Sequence, residues 1–159
     1  MLVKTFGSAV FGVHAATITI EVNADRGANM AIVGLPDAAV KEAQQRIKAA
    51  LTNSEYETPV RNMTINMAPA DVRKEGAAYD LPLAIGILAA TEQIPADRLE
   101  EFIIMGELSL DGSIRPLKGA LPIAIQARKE KFKGLIIPAT NAKEAAIVGD
   151  LDVYGINHL

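Results

Sequence analysis

The side chains of this chain that could do chemistry are few and poorly spaced for it. His14 and His158 stand at opposite ends of the sequence, with no ligand-like spacing to any carboxylate, and read as surface or packing residues. Neither has a hydroxyl at a spacing that would make it the base of a nucleophilic triad. Twelve glycines invite a search for a phosphate-binding loop. Gly7 and Gly12 have the Walker spacing, but Val13 and His14 follow where a nucleotide site needs lysine and a hydroxyl. No G-x-G-x-x-G occurs either, so nucleotide hydrolysis by these residues is not expected. Asp150-Leu151-Asp152 reads as a solvated approach to a strand rather than a metal pair. The absence of cysteine excludes disulfides, thiolate metal sites and thiol nucleophiles.

The most suggestive stretch is PADVRKEGAAYDLPLAIGILAA, residues 69–90. It reads as a strand ending at Pro69, a charged turn (Asp71, Arg73, Lys74, Glu75), a small-residue step, and an apolar helix opening at Asp80. A tight turn delivering the chain into a helix is where many enzymes carry a nucleophile, yet this one offers Ala77 and Ala78. Ser109 and Ser113 flank a predicted hairpin and Lys118 follows it, so a Ser–Lys dyad drawn from these residues, set against the family dyad that the resemblance given below implies, is the hydrolase alternative. Such a dyad needs its two groups within hydrogen-bond reach, and no motif enforces that.

Two groups of cations are candidate contacts for DNA or a protein partner. Arg61, Arg73 and Lys74 flank one predicted strand and the turn after it; converging, they would hold a phosphate or a carboxylate. QARKEKFK supplies Arg128, Lys129, Lys131 and Lys133 against Glu130. That cluster sits at a predicted helix C-terminus, where cations also complement the helix dipole.

The elements that must position these residues follow from periodicity. Val3–Phe11 and Ala15–Ala24 are predicted strands joined at Gly12, and Met30–Leu35 is a third, making a meander. Val40, Ala43, Ile47 and Ala50 share one face of a helix with Asp37 as N-cap and Glu42 pairing with Arg46. VRNMTINMAP returns to strand alternation, with Met63, Ile65 and Met67 on one side. A helix over Asp80–Gln93, capped by Asp80, buries Leu83, Ile87 and Ala90. Phe102–Met105 is a buried strand, and Asp111-Gly112 marks a two-residue hairpin. Gly119–Lys131 is a helix, Gly134–Pro138 a strand, Asn141–Val148 a short helix with an Asn141/Glu144 capping box, and Leu151–Tyr154 the last strand. No repeat or linker interrupts this order, so residues 1–159 form one α/β domain with a mixed sheet.

Composition bounds the function. Half of the residues are hydrophobic and 22% are charged, enough for a packed core in a 159-residue chain. A net charge of −3 argues against non-specific nucleic-acid binding, though not against a local basic patch. The aromatics are too few for a base-stacking set, which disfavours an RNA-binding module. The N-terminus carries no signal peptide, and the longest apolar run, Leu81–Ala90, has the length of a core helix, so a cytoplasmic protein without a membrane contact is expected. DVYGINHL stops without a closing element, as expected of a fragment of a longer chain.

Three segments, IVGLPDAAVKEAQQRIKAAL, PADVRKEGAAYDLPLAIGILAA and GELSLDGSIRPLKGALPIAIQA, resemble hallmark segments of the N-terminal domain of the Mg-chelatase-related AAA+ ATPases, the ComM/YifB family. The resemblance covers essentially the whole chain. It implies a fold similar to the proteolytic domain of Lon and the C-terminal domain of the recombination protein RadA. That architecture, also seen in the second domain of a small-subunit ribosomal protein and in GHMP kinases, is α/β of the α+β type: a two-layer mixed sheet with helices. Lon-type proteases use a Ser–Lys dyad, with the serine in a K-D-G-P-S-A-G turn and the lysine in a G-G-L-K-E-K helix start. Laid on this chain, K-E-G-A-A-Y-D puts the serine position at Ala78, and K-G-A-L-P-I puts the lysine position at Leu121. A methyl group cannot attack a carbonyl and an isobutyl group cannot take a proton, so the resemblance implies no catalytic residue here.

It further implies an AAA+ domain beyond Leu159 that binds ATP and Mg, with no cofactor in residues 1–159. The implied partners are that downstream domain, other copies in a homo-hexamer, and DNA. The implied activity is ATP-driven branch migration in natural transformation and recombination, with this domain serving assembly or engagement. Nothing in these residues supports inserting magnesium into a porphyrin.

Overall fold

The computed structural model describes residues 1–159. Alternating residues build a long hairpin first. Strands β1 (Leu2–Phe11) and β2 (His14–Asp25) pair antiparallel from Leu2↔Asn23 to Phe11↔His14. Ile18, Ile20 and Val22 of β2 are fully buried, between the more exposed Thr19 and Glu21. The remaining elements are β3 (Met30–Val33), α1 (Ala38–Asn53), β4 (Asn62–Ala68), α2 (Asp80–Ala90), β5 (Phe102–Ile104), β6 (Glu107–Leu108), β7 (Ile114–Arg115), α3 (Ala120–Lys129), β8 (Gly134–Pro138), α4 (Ala142–Ala146) and β9 (Asp152–Ile156). Seven strands make one mixed sheet in the order β3-β4-β2-β1-β5-β8-β9, while β6 and β7 form a separate hairpin. Only β2 runs against its sheet neighbours. The C-terminal ends of β1, β3, β4, β5, β8 and β9 therefore share one edge of the sheet, where open α/β sheets place their ligands.

The expected opening meander does not form. β3 pairs parallel with β4, and β4 separates it from β2. The cause is α1, which lies between β3 and β4 in sequence and returns the chain in the same direction, as a parallel pair requires.

Helix α1 follows its pattern. Asp37 Oδ1 accepts from the Val40 amide at 2.8 Å, and Val40, Ala43, Ile47 and Ala50 are buried together with Leu51. Helix α2 is more deeply set than a single stripe requires: Ile85 alone among its residues is not buried. It packs on β1 and β2 so closely that a Cβ at Gly86 would stand 2.8 Å from Val22 Cγ2. A helix covered on all sides is apolar all round, and its sequence is.

Asp80 is not the N-cap. Tyr79 holds that position without a side-chain cap bond, and the buried Asp80 carboxylate turns to Arg46 and to the Leu108 amide. The Glu42–Arg46 contact exists at 3.8 Å, but it is the exposed, longer one. Asn141 likewise forms no capping box. Its amide is spent on both the N–H and the C=O of Leu117, at 3.0 and 2.9 Å, fixing α4 to the segment that leads into α3. The hairpin turn is centred on Leu110-Asp111 instead of Asp111-Gly112. Gly112 takes the positive-φ position after it, where Ser109 and Ser113 close the ladder at 2.9 Å.

Candidate functional site

The turn between β4 and α2 is built by backbone clamps. After Ala68 the chain turns away, and Lys74 fastens it to the loop between β3 and α1. The Lys74 amide donates to Leu35 O at 3.1 Å, and its carbonyl accepts from the Asp37 amide at 2.9 Å. Its ammonium donates to the carbonyls of Gly34 and Pro69. Asp37, already capping α1 through one oxygen, accepts from the Gly76 amide at 3.0 Å through the other. Ala78 and Leu81 are then tied to the end of β5 by the Gly106-to-Ala78 bond at 2.8 Å and the Leu81-to-Gly106 bond at 2.9 Å.

These clamps set Ala78 into a cleft of about 220 Å³ at the shared C-terminal edge of the strands. Ser8 and Val10 of β1, Glu75 and Tyr79 of the turn, Met105 after β5, and Lys118 before α3 complete most of its wall. Arg73 and Phe11 line an adjoining cleft of about 170 Å³ that shares Val10, Glu75 and Tyr79. Burial, helped by the negative charges of Asp37 and Glu75, pushes the Tyr79 phenol well above its ordinary range, so it stays neutral. Leu121 lies one residue into α3, half-buried and outside the cleft lining.

The relocated dyad is not assembled. Ser109 Oγ accepts from Arg115 Nε at 2.8 Å, and Ser113 Oγ donates to Asp111 Oδ1 at 2.6 Å; neither lines the cleft that holds Lys118. The Ser113 bonds hold the Asp111 carboxyl below its ordinary value. The aliphatic hydroxyl that shares the cleft with Lys118 is that of Ser8, on β1, far in sequence from the turn. Its Oγ donates to Ala16 O within its own hairpin, at 3.4 Å, and no side chain is hydrogen-bonded to it as a base. No group of His, Asp or Glu side chains is arranged to hold a metal ion.

The predicted cations do not converge. Arg61 sits before the start of β4 and Arg73 and Lys74 beyond its end, a strand length of about 20 Å apart. Arg61 lines a different cleft with Met1, Ala24 and Glu92. Arg73 is exposed and pairs with Glu75 at 3.1 Å. Lys74, expected among the contact residues, is fully buried and its ammonium is taken up by two carbonyls. Burial holds its pKa below the ordinary lysine value, against the opposing pull of Asp71. In the 128–133 cluster, Arg128 donates to Val148 O at 2.7 Å and Lys133 pairs with Glu101 at 3.7 Å. Lys129 and Lys131 remain exposed and unpaired, so they are the cations of that cluster open to a partner.

Comparison with known proteins agrees with this architecture. The family model described as "Subunit ChlI of Mg-chelatase" matches residues 20–141. The chain is 44% identical over 154 residues to competence protein ComM of Haemophilus influenzae, covering 96% of this chain and 30% of that protein. It is 43% identical over 152 residues to the uncharacterized protein YifB of Escherichia coli, covering 95% of this chain and 30% of that protein. A more distant likeness, 26% over 163 residues, joins it to Lon protease 2 of Bacillus subtilis, covering 92% of this chain and 29% of that protein. The chain thus spans about three-tenths of the length of the curated relatives it matches. On the match of its residues 20–141 and its identity to relatives that cover nearly all of it, the chain belongs to the Mg-chelatase-related family.

Proposed function

We propose that this chain is a non-catalytic accessory domain of a Mg-chelatase-related AAA+ ATPase that remodels DNA, by branch migration in natural transformation and recombination. Its work is ring assembly or engagement of DNA or a protein partner in the cytoplasm. ATP and Mg are bound by a further domain outside residues 1–159. The observation that carries the reading is Ala78: a turn built to hold a residue at the rim of a cleft holds a methyl group there. Likeness to a protein named for competence supports the DNA role. Lys129 and Lys131 are the cations best disposed for DNA, with Arg73 and Arg61 as separate contacts.

The test compares the full-length protein with a version lacking residues 1–159, on a four-way DNA junction. Junction migration is lost on deletion while ATP hydrolysis persists; migration unchanged by the deletion overturns the reading. For direct DNA contact, anisotropy is followed across a salt series. Replacing Lys129 and Lys131 by alanine lowers the slope of log affinity against log salt by about 2.

A divergent serine hydrolase is the second reading, and one observation favours it: Ser8 and Lys118 face one cleft. Against it stands the missing hydrogen bond from Ser8 Oγ to any base.

A further inference from the structure

The opposite end of the sheet carries a feature that the proposed role does not use. Strand β3 ends the seven-stranded sheet and pairs on one side only, with β4, from Met30↔Met63 to Val33↔Asn66. Its other edge is open. Edge strands in folded proteins are normally blunted by lysine, proline or a bulge, because a row of free N–H and C=O groups templates pairing with another chain. The run MAIVGL, residues 30–35, has no charge and no proline, and Val33 and Leu35 are 47% and 53% exposed. The sheet's other end is treated differently. Strand β9 there also pairs on one side only, with β8, but it opens on the charged Asp152. The chain just beyond it is fastened to the small hairpin, Asn157 O accepting from the Ile114 amide at 2.9 Å and His158 bridging to Ser113.

Beside the open edge lies a cleft of about 370 Å³, between β3 and α1. Met30, Met63, Ile47 and Leu51 line its apolar part, and Val60, 78% exposed, stands in its wall. Met30 and Met63 are opposite one another in register, so both project from the sheet face that meets α1. Of the twelve lining residues, Lys48 alone is charged, and its ammonium has no carboxylate within ion-pair reach. The groove therefore pairs an apolar floor with an uncompensated positive rim.

We propose that β3 and this groove bind an extended segment of a partner protein as an added strand. Main-chain hydrogen bonds run to the open edge of Met30–Val33. An apolar side chain fills the space above Met30 and Met63, and an acidic side chain two residues along meets Lys48. Strand addition takes its affinity from backbone bonds and its selectivity from alternate side chains, which is the division this site offers. The groove lies at the Met30 end of β3, whereas the Ala78 turn is fastened beyond the strand's other end, at Gly34 and Leu35, and the proposal does not depend on the reading given for that turn.

The probe is the fluorescein-labelled, amidated peptide Thr-Val-Leu-Thr-Glu-Val-Thr, titrated against the 159-residue protein by anisotropy. Binding saturates, and amide exchange slows within residues 30–33. N-methylation of alternate peptide amides weakens binding about tenfold or more. Lys48→Glu, an exposed change that spares the fold, weakens it about tenfold, and a peptide with lysine in place of glutamate recovers it. Absence of saturation, indifference to N-methylation, or protection at another strand overturns the proposal. So does prior protection of residues 30–33 in a dimer of the protein alone, which would make a second copy the occupant.

Discussion

Arg46 holds Asp80 by two hydrogen bonds, Nε to Oδ2 at 2.7 Å and Nη2 to Oδ1 at 2.9 Å, and so joins the middle of α1 to the first turn of α2. The Leu108 amide donates to the same carboxylate at 3.1 Å, and Arg46 also reaches Ala39 O at 2.8 Å. One carboxylate thus fastens two helices and the small hairpin behind the cleft. Its side chain is 1% exposed, so removing it leaves a half-buried guanidinium without its partner. Asp80→Ala is expected to cost about 3–5 kcal/mol in urea denaturation. A loss below about 1 kcal/mol would mean that the pair does not hold these elements together.

The same pair predicts a pH effect. Burial pushes the Asp80 carboxyl above its ordinary value, while Arg46 and the Leu108 amide pull it down. Arg46→Met removes the main downward pull, so the folded variant keeps a proton that the unfolded chain has already released above the ordinary value of 3.8. A folded state that binds more protons is stabilised as pH falls. The variant is destabilised at neutral pH, and its deficit relative to the parent shrinks on acidification. Denaturation midpoints from about pH 7 to about pH 5 measure this; a constant deficit contradicts it.

Lys74 titrates with the opposite sign. The folded chain gives up this proton at lower pH than the unfolded chain, whose lysine keeps the ordinary value of 10.5. Between those two values the unfolded state holds more protons, so this residue's contribution to stability rises with pH. Lys74→Met abolishes that slope. It also leaves the Gly34 carbonyl without a donor, costing about 1–3 kcal/mol at neutral pH, while Pro69 O keeps the Val72 amide at 3.3 Å. DNA affinity, by contrast, is expected to be unchanged, because the buried ammonium faces no ligand; a drop in affinity in a folded variant would restore Lys74 as a contact.

Gly34 and Gly12 both have positive φ, +104° and +59°, but only one is irreplaceable. A Cβ at Gly34 would lie 2.0 Å from Met67 O, inside the backbone of β4, whereas at Gly12 nothing lies within 4 Å. Gly12→Ala is expected to cost about 1–2 kcal/mol, the left-handed penalty alone. Gly34→Ala must also displace a strand, and is expected to abolish the cooperative thermal transition or lower it far more. Equal melting temperatures for the two variants would refute the packing argument.

Much of the fold was legible because local patterns agreed with burial. The Asp37 cap, the buried face of α1 and the alternation of β2 and β4 all report environments set within a few residues. What was hidden depends on long-range partners. Asp80 has a good capping residue type at a helix start, and only the arrival of Arg46 from α1 turns it inward. Asn141 is diverted in the same way by the backbone of Leu117. Periodicity locates β3 but cannot tell an antiparallel neighbour from a parallel one across a helix. At the candidate site, the Ala78 turn was readable as a motif. Ser8 was not, because a strand serine carries no signal of the cleft it faces, and the burial of Lys74 contradicts the usual exposure of lysine.

As proposed above, the Ala78 turn is the shell of a nucleophile site, and on that reading the chain carries out no serine-dependent hydrolysis. Treatment of the purified protein with a fluorophosphonate, read by mass spectrometry alongside hydrolysis of a quenched peptide library, tests it most directly. The expected result is no serine adduct and no turnover above that of the Lys118→Met variant. An adduct on Ser8 that disappears in both Ser8→Ala and Lys118→Met, with peptide turnover that follows it, would contradict the account.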